Sequence, residues 1–156
     1  MTLYFLFKTV HGLLAAVLFG AALAGLFFAR RAWNKEADPQ QMAATFASLV
    51  RLECWLIASS AVLLPLSGLA LAKVGGWPLG QRWLLWSVGI YLLAALCWLP
   101  LLWLQVRIRN LARQAFRDGT ALAPQVASHV AVRTWLAVLA LVLLAVVYAL
   151  MVIKPL

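Results

Sequence analysis

KTVHGLLAAVLFGAALAGLFFARR, residues 8–31, decides what kind of protein this is. Between His11 and the pair Arg30 and Arg31 it holds no charged side chain. Roughly 20 apolar residues in a row are what a helix needs to cross about 30 Å of hydrocarbon. The stretch therefore reads as a membrane span, and His11 lies within it. An ionisable group in lipid is costly to desolvate and marks function by default.

Working outward, the chain repeats the pattern. It has 156 residues, 66% of them apolar and 11% charged, with a mean hydropathy of +0.97. That composition belongs to integral membrane proteins. Apolar runs recur over residues 54–72, 83–106 and 134–153. They lack the alternation of barrel strands, so helices are expected. The reading is an all-α integral membrane four-helix bundle, one domain, with spans near residues 4–29, 52–73, 82–106 and 132–153. Ala22-Leu23-Ala24 resembles a signal-peptide cleavage site, but Lys8 is the only charged side chain before Arg30, so no basic leader precedes it. A retained span is expected.

Charge sets the orientation. Of 13 Lys and Arg residues, nine fall on one side of the threading, including Arg30, Arg31, Arg51, Arg107 and Arg133. Lys8, Lys73, Arg82 and Lys154 fall on the other. The positive-inside rule makes the richer side cytoplasmic, with the N- and C-termini outside and both longer loops inside. The net charge of +9 is then topological, with anionic lipid headgroups at the cytoplasmic face as partner and no nucleic acid. The expected location is a bacterial inner membrane. Trp55, Trp98, Trp103 and Trp135 would form one interfacial belt, and Trp77, Trp83 and Trp86 the other.

Local signals place the ends of the helices. Asp38-Pro39 reads as an N-cap with Pro in the first helical position, opening a second helix to about residue 73. Pro65 is expected to kink it and Pro100 to interrupt the third. Gly75, Gly76, Pro78 and Gly80 make a tight turn between those helices, and Asp118-Gly119 stops the third. Glu53, beside Arg51, is expected to form a headgroup-level ion pair. Cys54 and Cys97, without metal-ligand spacing, read as small buried apolar residues. Gly12, Ala16, Gly20 and Ala24 form a small-residue stripe, expected to serve close packing within the bundle and also permitting a homodimer or a flat ligand.

Chemistry narrows to few groups. Every acidic residue (Glu36, Asp38, Glu53, Asp118) falls on the cytoplasmic side. A paired-carboxylate hydrolase, a carboxylate proton pump in the outer half and a two-metal site therefore lack their groups. His11 and His129 lie at opposite faces, which excludes a bis-histidine site within one chain. Depth counting at about 1.5 Å per residue sets Ser67, Gly68, Trp83, Trp86, Ser87, Tyr148 and Met151 at the level of His11. Lys8 and Arg82 would flank an anionic group such as a propionate. Haem b fits this set among common cofactors: His11 as metal ligand, with Lys8, Gly12, Arg82, Trp86 and Tyr148 lining it.

The segments 4–31, 64–112 and 149–156 resemble an uncharacterised family of bacterial integral membrane proteins, domain of unknown function 2269. The likeness covers nearly the whole chain, and Lys8-Thr9-Val10-His11 and Cys97-Trp98-Leu99-Pro100 are among its most specific parts. More distantly, Lys8-Thr9-Val10-His11 is similar to the start of the membrane-embedded protoporphyrinogen oxidases and the copper-resistance D proteins. The resemblance to the oxidases implies a haem ligand at His11. Their lysine after a Gly-Trp turn is replaced here by Arg82, following Gly76-Trp77, which departs from protoporphyrinogen oxidation and leaves haem binding open.

Three functions stand after this reading. The first is a haem b redox or electron-transfer protein ligated by His11. The second is a non-catalytic accessory or assembly protein for a partner membrane subunit, with His11 merely hydrogen-bonded to a carbonyl or to Ser67. The third is a metal or small-solute transporter, which the lack of internal repeats weakens.

Overall fold

A computed structural model describes residues 1–34 and 38–154 of the chain. They form four helices: α1 (Thr2–Asn34), α2 (Pro39–Val74), α3 (Arg82–Asp118) and α4 (Gln125–Ile153). Each is long and apolar enough to cross a membrane. The fold is all-helical, as the apolar runs require. Lys35, Glu36, Pro155 and Leu156, which the sequence reading used, lie outside the described residues.

The helices alternate in direction. His11 on α1 meets Ser67 on α2, and Gly25 lies against Glu53. Gln105 on α3 meets Arg133 on α4. α1 packs on α2 and α4, while α3 packs on α4 and on the first half of α2. Beyond that half, α2 and α3 scarcely touch. The start of α1, the end of α4 and the turn at residues 75–81 lie at one end of the bundle, the termini end. The helix ends at Asn34, Pro39, Asp118 and Gln125 lie at the other, the loop end.

Short-range chemistry explains the breaks. Asp38 occupies the N-cap position and Pro39 opens α2, though the Asp38 carboxylate caps no backbone N–H. Gly119 takes φ 65 and ends α3 in the left-handed conformation that glycine adopts without a Cβ clash. α3 runs through Pro100 without interruption. Pro65 has no N–H to offer the Ala61 carbonyl four residues earlier. The Tyr91 hydroxyl of α3 donates to that carbonyl at 2.5 Å, so a freed acceptor becomes the link between α2 and α3. Residues Glu53–Ile57 form one π-turn inside α2, and the Ser59 hydroxyl donates to the Trp55 and Leu56 carbonyls within it.

Two apolar clusters fill the interior. Near the loop end Ala29, Ala32, Met42, Phe46, Ile108 and Val126 interlock. Midway, Leu18, Ala21, Ile57 and Leu64 do so, with Tyr91 and Trp98 against them. The outward surface is equally apolar, with Phe27, Leu92 and Val142 exposed. Outside a bilayer such a surface would aggregate; inside one it faces lipid.

Three expectations change. The stripe Gly12, Ala16, Gly20 faces outward, and no atom lies within 4 Å of a Cβ built on Gly12 or Gly20. The face of α1 that packs carries Leu18, Ala21, Gly25, Ala29 and Ala32, set off by the helical period. Cys54 is exposed on the bundle surface rather than buried. Trp98 turns inward to bond Glu53, while Trp55, Trp103 and Trp135 remain exposed in a ring.

Candidate functional site

The bundle holds two polar sites, on α1 at His11 and Gly25. They lie 14 residues apart by number, about 21 Å along a helix. At the termini end, the imidazole of His11 rests over Gly68 and its Nδ1 is 2.9 Å from the Ser67 hydroxyl. A Cβ on Gly68 would sit 3.1 Å from His11 Cε1, so the ring lies closely against the glycine and any side chain there would press on it. Ser67 Oγ donates its single proton to the Leu64 carbonyl at 2.9 Å. With that proton committed, Nδ1 must be the donor to Ser67, and the neutral ring carries its free lone pair on Nε2.

Ser67 and Gly68 stand where depth counting set them. The other candidates are distributed differently. Trp86 and Tyr148 are 67% and 66% exposed, on the outside of α3 and α4. Lys8 lies over the ring of Tyr4. Arg82 and Gly12 are exposed. Trp83 and Ser87 are buried, with the Ser87 hydroxyl donating to the Trp83 carbonyl. The structure thus joins His11 to α2, and α3, which carries Arg82 and Trp86, does not pack on α1.

The second site was not foreseen. Glu53, expected at the headgroups with Arg51, is instead one of the most buried polar residues, 3% exposed. Arg51 is exposed and turns to Ser48 at 3.5 Å. The helical period explains the correction: Glu53 continues the inward face of Met42, Phe46 and Leu49, whereas Arg51 falls on the opposite face. Its carboxylate accepts a hydrogen bond from the Trp98 indole of α3. Arg133 of α4, 1% exposed, faces the same centre. Its Nε donates to Gln105 Oε1 at 2.8 Å and its Nη2 donates to the same oxygen.

Gly25 brings α1 into this centre. A Cβ placed there would lie 3.5 Å from Arg133 Nη2 and 3.9 Å from Glu53 Oε1. All four helices therefore converge on one carboxylate–guanidinium–amide cluster. Two of its donors stay open. Arg133 Nη1 is buried without a hydrogen-bond partner, and the Gln105 amide nitrogen faces the Glu53 carboxylate without reaching hydrogen-bond geometry. An orphaned buried donor of this kind costs about 1–3 kcal/mol, more when charged.

A cavity of about 70 Å³ opens beside the cluster. Glu53, Arg133 and Trp98 form its polar end, and Ala61, Ala95 and Ala140 are among its apolar walls. The sequence signal for this site was present in three residues: a carboxylate, an amide and an arginine, each inside an apolar helix. Arg133 read as a topological charge because nothing in one sequence says which face of α4 it takes. Among the described residues no three His, Cys, Asp or Glu gather as a metal cluster.

Comparison with known proteins gives one match. Residues 5–155 match the family described as predicted integral membrane protein (DUF2269). The chain belongs to this family. No curated protein and no solved structure matches. The likeness of the Lys8–His11 start to the protoporphyrinogen oxidases and copper-resistance D proteins gains no support from these comparisons. Family membership fixes an integral membrane protein and leaves its activity to be argued from the two sites.

Proposed function

We propose that this protein binds a small membrane-borne ligand at the Glu53–Gln105–Arg133 cluster, as a binding or accessory unit of the membrane rather than a hydrolase. The observation that carries this reading is Arg133, which lines the cavity and whose Nη1 is buried with no partner. Buried arginine in a membrane protein marks a site because its charge is too costly to keep for packing alone. The other two guanidinium nitrogens are held by Gln105, so the open one identifies where a ligand oxygen would be held. The test is extraction of the purified protein and mass spectrometry of what co-purifies. A ligand present in wild type and absent in Arg133→Met supports the reading; identical extracts from two folded proteins overturn it.

His11 supports a second reading, haem b binding for redox or electron transfer. Its support is the Ser67 contact, which fixes the ring and leaves Nε2 bare, the arrangement by which outer partners orient a metal-ligating histidine. The macrocycle would lie on the outward side of α1, beside Gly12, since the interior cavity is far too small for it. Lys8 and Arg82 would reach its propionates, and Trp86 and Tyr148 its rim, only from the surface. Reduced-minus-oxidised absorbance spectra of wild type and His11→Ala decide this. Sharp reduced bands lost in the variant support it, and a colourless protein made with ample haem overturns it.

The setting of either site is a bacterial inner membrane with the loop end cytoplasmic. Support comes from Arg30, Arg31, Arg107, Arg113 and Arg117, all exposed near that end, where they would meet anionic headgroups. The outward Gly12–Ala16–Gly20 stripe offers a face for a second copy or a partner subunit.

A further inference from the structure

The cavity beside Arg133 also carries information about what it holds and how that molecule enters. We infer that the site takes the carbonyl end of a single-chain amphiphile, a fatty-acid carboxyl or an acyl-ester carbonyl, entering from the bilayer between α2 and α3. This rests on the reading of the Arg133 cluster as a ligand site.

Hydrogen-bond complementarity comes first. Of the residues at the polar end, Arg133 carries the unpartnered group, and its Nη1 is a donor. A ligand completing it brings an acceptor and no need of donors. Glu53 offsets the arginine charge within the cluster, so a lone carbonyl oxygen suffices and a multiply charged phosphate would face the carboxylate. An ammonium headgroup, which has no acceptor, offers nothing to Arg133.

Size comes second. A water occupies about 30 Å³ of liquid, and a cavity of about 150 Å³ holds benzene. The 70 Å³ here admits a carboxyl group with its first carbons, and excludes an aromatic ring or a branched headgroup. Alanines on all four helices, Ala22, Ala61, Ala95 and Ala140, line the walls. They leave a narrow slot suited to a methylene chain.

Access comes third. α2 packs on α3 only through its first half, and past Glu53 the two helices scarcely touch. There the Tyr91 hydroxyl reaches the Ala61 carbonyl, and both residues line the cavity. Tyr91, Ala95 and Trp98 are each partly exposed on that side. The slot therefore opens sideways to lipid, with its polar end at the level of the exposed ring of Trp55, Trp103 and Trp135. That is the headgroup boundary, where the carbonyl of an amphiphile already resides. A chain sliding in from the bilayer keeps its polar end at nearly constant depth.

Native mass spectrometry of the full-length protein in mild detergent tests this, using a straight-chain fatty acid, its methyl ester and an alkyl trimethylammonium of equal chain length. The expected result is one fatty-acid adduct per chain, reduced at least tenfold in Arg133→Met and in Ala140→Leu, which fills the slot without touching the polar cluster. Ester binding as strong as the acid points to acyl lipids as the source. Ester binding much weaker points to free fatty acids. Equal binding of the ammonium amphiphile, or retention undiminished in both variants, overturns the carbonyl assignment while a ligand site can still stand on co-purification. No adduct from any probe, together with identical extracts from wild type and Arg133→Met, overturns the underlying reading as well. Should Arg133→Met fail to fold, Ala140→Leu and the ammonium probe still decide.

Discussion

Arg133 and Gln105 hold each other in a chelating contact, Nε and Nη2 of the arginine both donating to one amide oxygen across the α3–α4 interface. Both residues are essentially inaccessible. The contact spends two of the three guanidinium nitrogens on one acceptor and leaves Nη1 without a partner in a residue that lines the cavity. This single relationship turns a charge in a membrane helix into an aimed donor. It also makes the cluster a test of how buried charges behave when a partner is lost.

Removing either Glu53 or Arg133 leaves the other charge buried beside an apolar core. Glu53→Leu and Arg133→Met should each destabilise the protein by about 3–5 kcal/mol. The double variant should lose less than the sum of the two, since it strands neither charge. Thermal unfolding in detergent, followed by tryptophan fluorescence, measures all three. Additive losses would show that the two side chains act independently.

Gly25 and Gly68 should respond oppositely to the same change. At Gly25 an added methyl meets only ordinary contacts of 3.5–3.9 Å, so Gly25→Ala should be neutral or gain up to about 1 kcal/mol from helix propensity. Gly25→Leu should drive into Arg133 and Glu53 and unfold the centre. At Gly68 the methyl meets His11 Cε1 at 3.1 Å, so Gly68→Ala should lower the melting temperature and displace the ring. The melting temperatures of the three variants check the contrast.

His11 should exist as the Nδ1–H tautomer. Imidazole nitrogen chemical shifts of labelled protein should show a protonated Nδ1 and a bare Nε2. Ser67→Ala removes one partner, and the tautomers should then mix or reverse. A wild-type ring protonated at Nε2 would remove the structural basis for a metal ligand there.

Tyr91 compensates for Pro65, and the two should be coupled. Tyr91→Phe strands the Ala61 carbonyl in the span, with an expected loss of about 1–3 kcal/mol. Pro65→Ala restores an N–H four residues on from Ala61, so adding it to Tyr91→Phe should recover most of that loss. A double-mutant cycle on melting temperature reads the coupling, and no recovery would mean that Tyr91 stabilises through packing alone.

Much of the fold was legible because membrane spans depend on local composition. Length and apolarity of a segment suffice for a helix when lipid leaves the backbone no other way to satisfy its hydrogen bonds. Asp38-Pro39 and Gly119 likewise announced helix ends through properties of single residues. His11 beside Ser67 and Gly68 followed from counting depth along antiparallel helices.

Which face each helix presents was decided by tertiary packing. The Gly12–Ala16–Gly20 stripe and the Leu18–Ala21–Gly25 face differ by a rotation that composition does not encode, since both are small and apolar. Glu53 and Arg51 are two residues apart, and the helical period sends one inward and the other out. Trp98 and Trp103 look alike as interfacial aromatics, yet one bonds Glu53 and the other faces outward. The sequence by itself determined four apolar helices in a membrane. Only the convergence of those helices, at Gly25, Glu53, Gln105 and Arg133, decided that a buried charge cluster and an open donor lie at their centre, because lipid is as apolar as the core and selects no inward face.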